Sequence, residues 1–375
     1  MFDFSAYRKL FSVTEQYNYL NHASSSPLPV NSVKAISQLA QSCSKQGMLE
    51  WSECEELSNT TRELVAKFLN CSPSEICFVE NTSQGIIYAI NSIGFEKGDN
   101  VVLMQDAFPT NLAPFHYLLP EIEKRTVRSY ELVDNPDGIS RLIDEHTKAV
   151  SLDWVNFLNG IKIDLKRIAE ICRAHNIYFI IDGMQGCGAV KINLNEIQAD
   201  FFCAAAAKWL FGPHGIGILY INKNILDKLK PCHLGWLSAE WENFYDISLP
   251  KKIKASAARF EAGTKNYLGI VGLKESLKVL DEIGIDKIEA QILNLTDYLL
   301  NKIMQMDCDV IAPSARNNRA GIVSFKRKDK DSIELYNRLK ANKIICSLRN
   351  GYLRISPHFY NTFAEIDQLI KVIKE

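Results

Sequence analysis

Two residues in the middle of the chain have the types and spacing for one kind of chemistry. Asp182 follows the run Ile177–Ile181, which is short, β-branched and aromatic and so predicts a buried strand. Lys208 follows a second such run, Ala199–Cys203, and the four alanines 204–207. A lysine held just past one strand end can bind pyridoxal phosphate as a Schiff base. A carboxylate at the preceding strand end can keep the pyridinium nitrogen protonated, which turns the ring into an electron sink. After Lys208 come Trp209 and Leu210, a turn Gly212-Pro213-His214-Gly215 and a third apolar run, Ile216–Ile221. Taken singly, a strand-end Asp and a surface Lys are ordinary structural residues. The ordered set carries the reading.

Such residues need a rigid frame. Leu165 to His175 has amphipathic helical spacing and leads straight into the Asp182 strand. Further strands are expected at Ile76–Val79, Gly98–Gln105, Arg125–Val133 and around Ala149–Asp153, alternating with helical patterns. That alternation predicts an α/β fold, a parallel sheet covered on both faces. Ile86, Ile87, Ala89, Ile90 and Ile93 have helical spacing after Thr82 and Ser83, so the free N–H groups of a helix start are expected there. They suit a phosphate dianion, or Thr82 and Ser83 serve as plain caps. From Tyr267 an amphipathic run reaches Leu280. Beyond it, strands at Ala320–Phe325, Ile344–Leu348 and Gly351–Ser356 and helices at Lys330–Leu339 and Phe363–Ile373 predict a smaller antiparallel unit.

Composition narrows the function. The chain has 375 residues, enough for two domains, with 47% hydrophobic and 23% charged residues. A net charge of −1 gives no reason to invoke nucleic acid or membrane. No apolar stretch reaches the roughly 18 residues that span a bilayer. The start, MFDFSAYRKLF, has no uninterrupted apolar core, which argues against a secretory signal. Ten cysteines without C-x-x-C pairs read as reduced thiols of a cytoplasmic protein, with no metal.

The pattern Asp182-Gly-Met-Gln185, Ala-Asp200-Phe-Phe, Lys208-Trp-Leu-Phe-Gly212-Pro213-His-Gly215-Ile-Gly217 resembles the class V aminotransferases. That family includes cysteine desulfurases, selenocysteine lyases, kynureninases and isopenicillin N epimerases. The resemblance implies the type I fold of pyridoxal-phosphate-dependent transferases. A large cofactor-binding domain, 15–265, is expected with a small α+β domain, 266–375, and residues 1–14 packed near the latter. It implies that Asp182 pairs with the pyridine nitrogen, Gln185 reaches the ring hydroxyl and Lys208 binds the cofactor. Phe108 would stack on its ring, and Thr82 and Ser83 would hold its phosphate. Arg259-Phe-Glu-Ala-Gly-Thr264-Lys-Asn266 resembles a family motif whose Thr serves the neighbouring subunit's phosphate, so a homodimer with shared sites is implied. Arg354 would grip the substrate carboxylate with two parallel hydrogen bonds, Arg349 being second choice. Asn156, with Asn159 second, would face the substrate or ring hydroxyl. His22, in Tyr19-Leu-Asn-His-Ala23, would touch substrate or be a structural histidine.

Two departures matter. Ala205 and Ala207 stand where the family commonly has Ser or Thr and His. The stretch Asn350–Leu353 is too short for the desulfurases' nucleophilic loop and holds no cysteine, while Cys346 reads as core. The expected reaction is therefore removal of the α-proton of a small amino acid by Lys208, followed by loss of a β-sulfur group without persulfide relay. A transaminase, an epimerase or a silent ligand-binding relative are the alternatives. A nicotinamide dehydrogenase lacks support because no early G-x-G-x-x-G follows a strand.

Overall fold

A computed structural model describes residues 2–375 except 48, 49, 231 and 244. Seven segments form its large sheet, all but the charged edge strand β3 largely apolar: β1 (Ile76–Val79), β2 (Asn100–Met104), β3 (Glu123–Val127), β4 (Thr147–Asp153), β5 (Tyr178–Asp182), β6 (Phe201–Ala205) and β7 (Gly217–Ile221). Their order is β1-β7-β6-β5-β4-β2-β3. Neighbours from β6 through β3 are parallel, and only β7 runs against both of its partners. Central strands are buried on both faces, which is why they read as continuous apolar runs. Along each strand alternate residues enter opposite cores. Val102, Phe179 and Ile181 join Ile168 and Leu273 on one side, while Val101, Leu103 and Ile180 join Ile86 and Ile90 on the other. Each aliphatic side chain so buried contributes about 1.5–3 kcal/mol.

Helices Val30–Gln46 and Trp51–Leu69 pack with the long helix Tyr267–Ile283 on one flank. The segment expected as strand to Val133 turns at Arg128 into a short helix, Ser129–Asp134. Asp106 causes this turn, since its carboxylate accepts from both the N–H and the hydroxyl of Ser129, at 2.9 and 2.6 Å.

The smaller sheet contains β8 (Cys308–Val310), β9 (Val323–Arg327), β10 (Ser347–Arg349) and β11 (Tyr352–Ile355), antiparallel in the order β10-β11-β9-β8. Helices Ile285–Ile303, Ser332–Ala341 and Phe363–Lys374 share its core through Leu299, Leu339 and Leu369. The run expected as one strand, Ile344–Leu348, is split. Ile344–Ile345 pairs in parallel with Asn18–Tyr19 near the chain start, and only Ser347–Arg349 enters the sheet. This pairing carries the Asn21–Ser26 segment across to the large sheet. Among the described residues no helix is long and apolar enough to cross a membrane.

Candidate active site

The carboxyl ends of the parallel strands share one edge, the usual ligand edge of such a sheet. Asp153 ends β4, Asp182 ends β5 as its register partner, and Lys208 lies three residues past β6. All three line one cavity of about 160 Å³. The turn after Asp182 must hug the neighbouring strand: a Cβ on Gly183 would sit 2.1 Å from the Phe202 ring.

Charge at the cavity floor is unusual. Asp153 and Asp182 are 3% and 4% exposed. Burial and the neighbouring Asp182 push Asp153 well above the usual carboxylate range, although N–H donors from Phe108 and Asn111 oppose this. Burial raises Asp182 to about 6, against the pull of the Met184 N–H and Lys208. Burial lowers Lys208 to about 8, Asp182 partly offsetting it and Arg354 adding to it. Among the described residues the Lys208 ammonium makes no ion pair, and it lies 5.5 Å from the centre of the Phe108 ring.

Helix Thr82–Ile93 points its start at the same cavity, where Asn81, Thr82 and Ser83 are wall residues. Asn81 caps it, accepting from the Gln84 N–H at 3.0 Å. The Thr82 hydroxyl accepts from the Ala205 N–H at 3.0 Å and donates to the Met184 sulfur. Ser83 and Thr110 share a hydroxyl–hydroxyl contact of 3.0 Å. Gln185 also lines the wall, but its amide is engaged. Nε2 donates to the Ala23 carbonyl at 3.1 Å, and Oε1 accepts from the Trp209 indole at 2.8 Å.

Arg354 reaches the site from the smaller sheet and is 2% exposed. Nε donates to Ser347 Oγ at 3.1 Å, Nη1 to the Phe157 carbonyl at 2.8 Å and Nη2 to Ser24 Oγ at 2.6 Å. It has no acidic partner among the described residues, and burial lowers it to about 10. A buried cation held only by neutral acceptors is built for an anion from outside.

Other expected site residues lie elsewhere. Asn156 is buried in its own loop, donating to the Asp106 carbonyl at 2.7 Å and accepting from the Leu158 and Asn159 N–H groups. Phe157, one residue on, lines the cavity instead. His22 is fully buried between the Ser356 carbonyl and the Tyr360 hydroxyl, both at 2.8 Å, and burial lowers it to about 3. Thr264 lines a separate cavity of about 780 Å³ together with Gln84, Tyr88 and His214. Asp153 is not among the residues that the sequence motifs single out. Its signal was a carboxylate closing the buried run Ala149–Leu152.

These residues suit pyridoxal phosphate. Two buried carboxylates facing one lysine leave room for a cationic ring nitrogen, and the helix start with its hydroxyls suits the phosphate. The family model for class V aminotransferases matches residues 18–369. The chain belongs to the class V aminotransferase family. A probable cysteine desulfurase of Borreliella burgdorferi is 32% identical over 84% of this chain and 81% of its own. Another, of Methanothermobacter thermautotrophicus, is 28% identical over 98% and 96%. An apo cysteine desulfurase from Thermococcus onnurineus superposes with a TM-score of 0.89 at 24% identity, over 100% of this chain and 98% of that one. A C-DES variant with glycine covalently linked to pyridoxal phosphate gives 0.90 at 21%, over 97% and 98%. This class V aminotransferase is thus a pyridoxal-phosphate-dependent enzyme with the fold of the desulfurases.

Proposed function

We propose that this class V enzyme is a cysteine-desulfurase-like C–S lyase that acts on a small sulfur-bearing amino acid and releases its sulfur without a loop cysteine. Pyridoxal phosphate supplies an electron sink for the carbanion at Cα. The chain's residues do the rest. Lys208 Nζ is the attachment point and, as a neutral amine above about pH 8, takes the α-proton. Asp182 holds the positive ring nitrogen. Gln185 is the side chain nearest in role to a ring-hydroxyl partner, and Thr82, Ser83 and the helix start hold the phosphate. Phe108 walls the ring, and Arg354 grips the substrate carboxylate. The Cβ–S bond then breaks with its electron pair leaving on sulfur. For cysteine plus one water, the balance is pyruvate, ammonia and sulfide. For cystine plus water it is pyruvate, ammonia and cysteine persulfide.

One observation carries the absence of a relay. β10 and β11 are joined by Asn350–Gly351 alone, with φ of +49° and +78°, the tight hairpin turn an Asn-Gly pair makes. No thiol stands there. Cys346 is 4% exposed and burial raises it to about 12, so it is inert.

We also infer a homodimer in which Thr264 of one copy completes the phosphate site of the other. Its place in the adjoining cavity rather than beside Lys208 supports that reading. The deciding experiment is a product screen with cysteine, cystine and common amino donors. Sulfide or persulfide with pyruvate and ammonia is expected. Keto acid that needs a second keto acid would replace this reading with transamination, and inversion at Cα without keto acid with epimerisation.

A further inference from the structure

Asp153 is a second buried carboxylate beside Asp182, and the proposed mechanism assigns it no role of its own. A buried carboxylate must be satisfied, and both of its oxygens are. Oδ2 accepts from the Phe108 N–H at 3.0 Å, and Oδ1 from the Asn111 amide at 3.0 Å. These donors bracket one short turn, in which Phe108 precedes Pro109–Asn111 and the Asn111 N–H returns to the Phe108 carbonyl at 2.9 Å. Ser151, two residues before Asp153 on β4, donates to Asn111 Oδ1 at 2.5 Å and fixes which way that amide points. The backbone of Phe108 is therefore tied at both its N–H and its carbonyl, with φ of −64° and ψ of 145°. Only its side-chain torsions remain free, and Phe157 meets the ring edge-on at 5.2 Å. A Ser or Thr at 153 offers one oxygen. A carboxylate spans both donors.

We propose that Asp153 is a positioning residue: by clamping both ends of the 108–111 turn it fixes the Phe108 ring as the wall against which the cofactor lies. This rests on the reading of Phe108 as the stacking side chain, and the test separates the two. Asp153→Ala, Asp153→Asn and Phe108→Ala proteins are loaded with pyridoxal phosphate. Cofactor dissociation, the visible circular-dichroism band of the bound cofactor and the melting temperature are then measured. That band reports ring orientation, which a merely structural residue does not move. Asp153→Ala should release cofactor about tenfold more readily or worse, as expected for losing two buried hydrogen bonds, and should lose at least half of the band. Phe108→Ala should do the same, and the double variant should be no worse than Phe108→Ala. If Phe108→Ala changes neither band nor dissociation, the stacking reading fails and takes the clamp with it. If Phe108→Ala changes both and Asp153→Ala changes neither, the clamp alone is overturned, whatever happens to the melting temperature. Should Asp153→Ala not fold, Asp153→Asn carries the test. Its amide has one acceptor for two donors, so a wild-type band and dissociation there overturn the proposal.

Discussion

Replacing Arg354 by Met separates what the arginine does for the fold from what it does for substrate. Burial lowers the guanidinium from its ordinary value to about 10, which corresponds to about 3 kcal/mol against the charged form at neutral pH. Its hydrogen bonds to Ser347, Phe157 and Ser24 return about 1.5–3 kcal/mol each, but methionine leaves those acceptors unpaired while relieving the charge. The two effects oppose, but three such bonds exceed the charge cost, so unfolding free energy should fall by about 1.5–6 kcal/mol. Substrate has no such compensation. A carboxylate that loses its two-pronged partner in a buried site gives up about 2–5 kcal/mol, roughly thirty- to several-thousand-fold in affinity. Arg354→Lys keeps the charge but not the fork and should fall between. The assay is spectral titration of the loaded enzyme with cysteine, alanine and cysteamine, alongside urea unfolding. Cysteamine has no carboxylate, so its affinity should be nearly unchanged by the variant. Equal loss for cysteamine and alanine, or unfolding as the cause of the loss, would refute the argument.

Other outcomes follow from named residues. Cys346→Ala should keep turnover within about twofold, because a thiol held near 12 supplies no thiolate at neutral pH; a collapse of turnover would restore a relay. Thr264→Ala should weaken cofactor binding only if copies share sites, and sedimentation with cofactor titration of mixed Thr264→Ala and Lys208→Ala dimers should show one restored site per mixed dimer. His22 is held neutral, its value lowered from 6.5 to about 3 by burial. The unfolded chain therefore binds the extra proton between those values, and stability should fall as pH drops from about 6.5 to 3, by about 1.4 kcal/mol per pH unit. Buried His358 is lowered as well and keeps its own slope, so urea unfolding across that range should become less steep by about one proton's share in His22→Asn; an unchanged slope would place the titration elsewhere.

The sheet was readable because its strands are buried on both faces. Ile177–Ile181 and Asn100–Met104 announce themselves by β-branched runs without needing any tertiary partner. That Asp182 and Lys208 share one edge was readable for a different reason: one closes a strand, the other follows one by three residues, and parallel strands send their ends to one edge. Segments set by remote partners were not legible. Asp106 turns 129–134 into helix, and pairing with Asn18–Tyr19 splits the 344–348 run. Neither partner is near in sequence. Asn156 and Phe157 illustrate the limit on sites. A shift of one residue sends the side chain to the other side of the loop, and the competing acceptor that holds Asn156 is the Asp106 carbonyl, fifty residues away. Asp153 was passed over because an acid at a strand end looks like a plain strand terminator until its neighbour Asp182 is placed beside it.

We propose that Lys208 carries the cofactor between Asp182 and the start of helix 82–93. The direct test is borohydride reduction of the purified, cofactor-loaded protein, followed by peptide mapping. Reduction should abolish the visible absorption band and leave one pyridoxyl group on the peptide containing Lys208, and Lys208→Ala should show neither band nor label. A pyridoxyl group on any other lysine, or a visible band that persists in Lys208→Ala with reduction still labelling the chain, would contradict it.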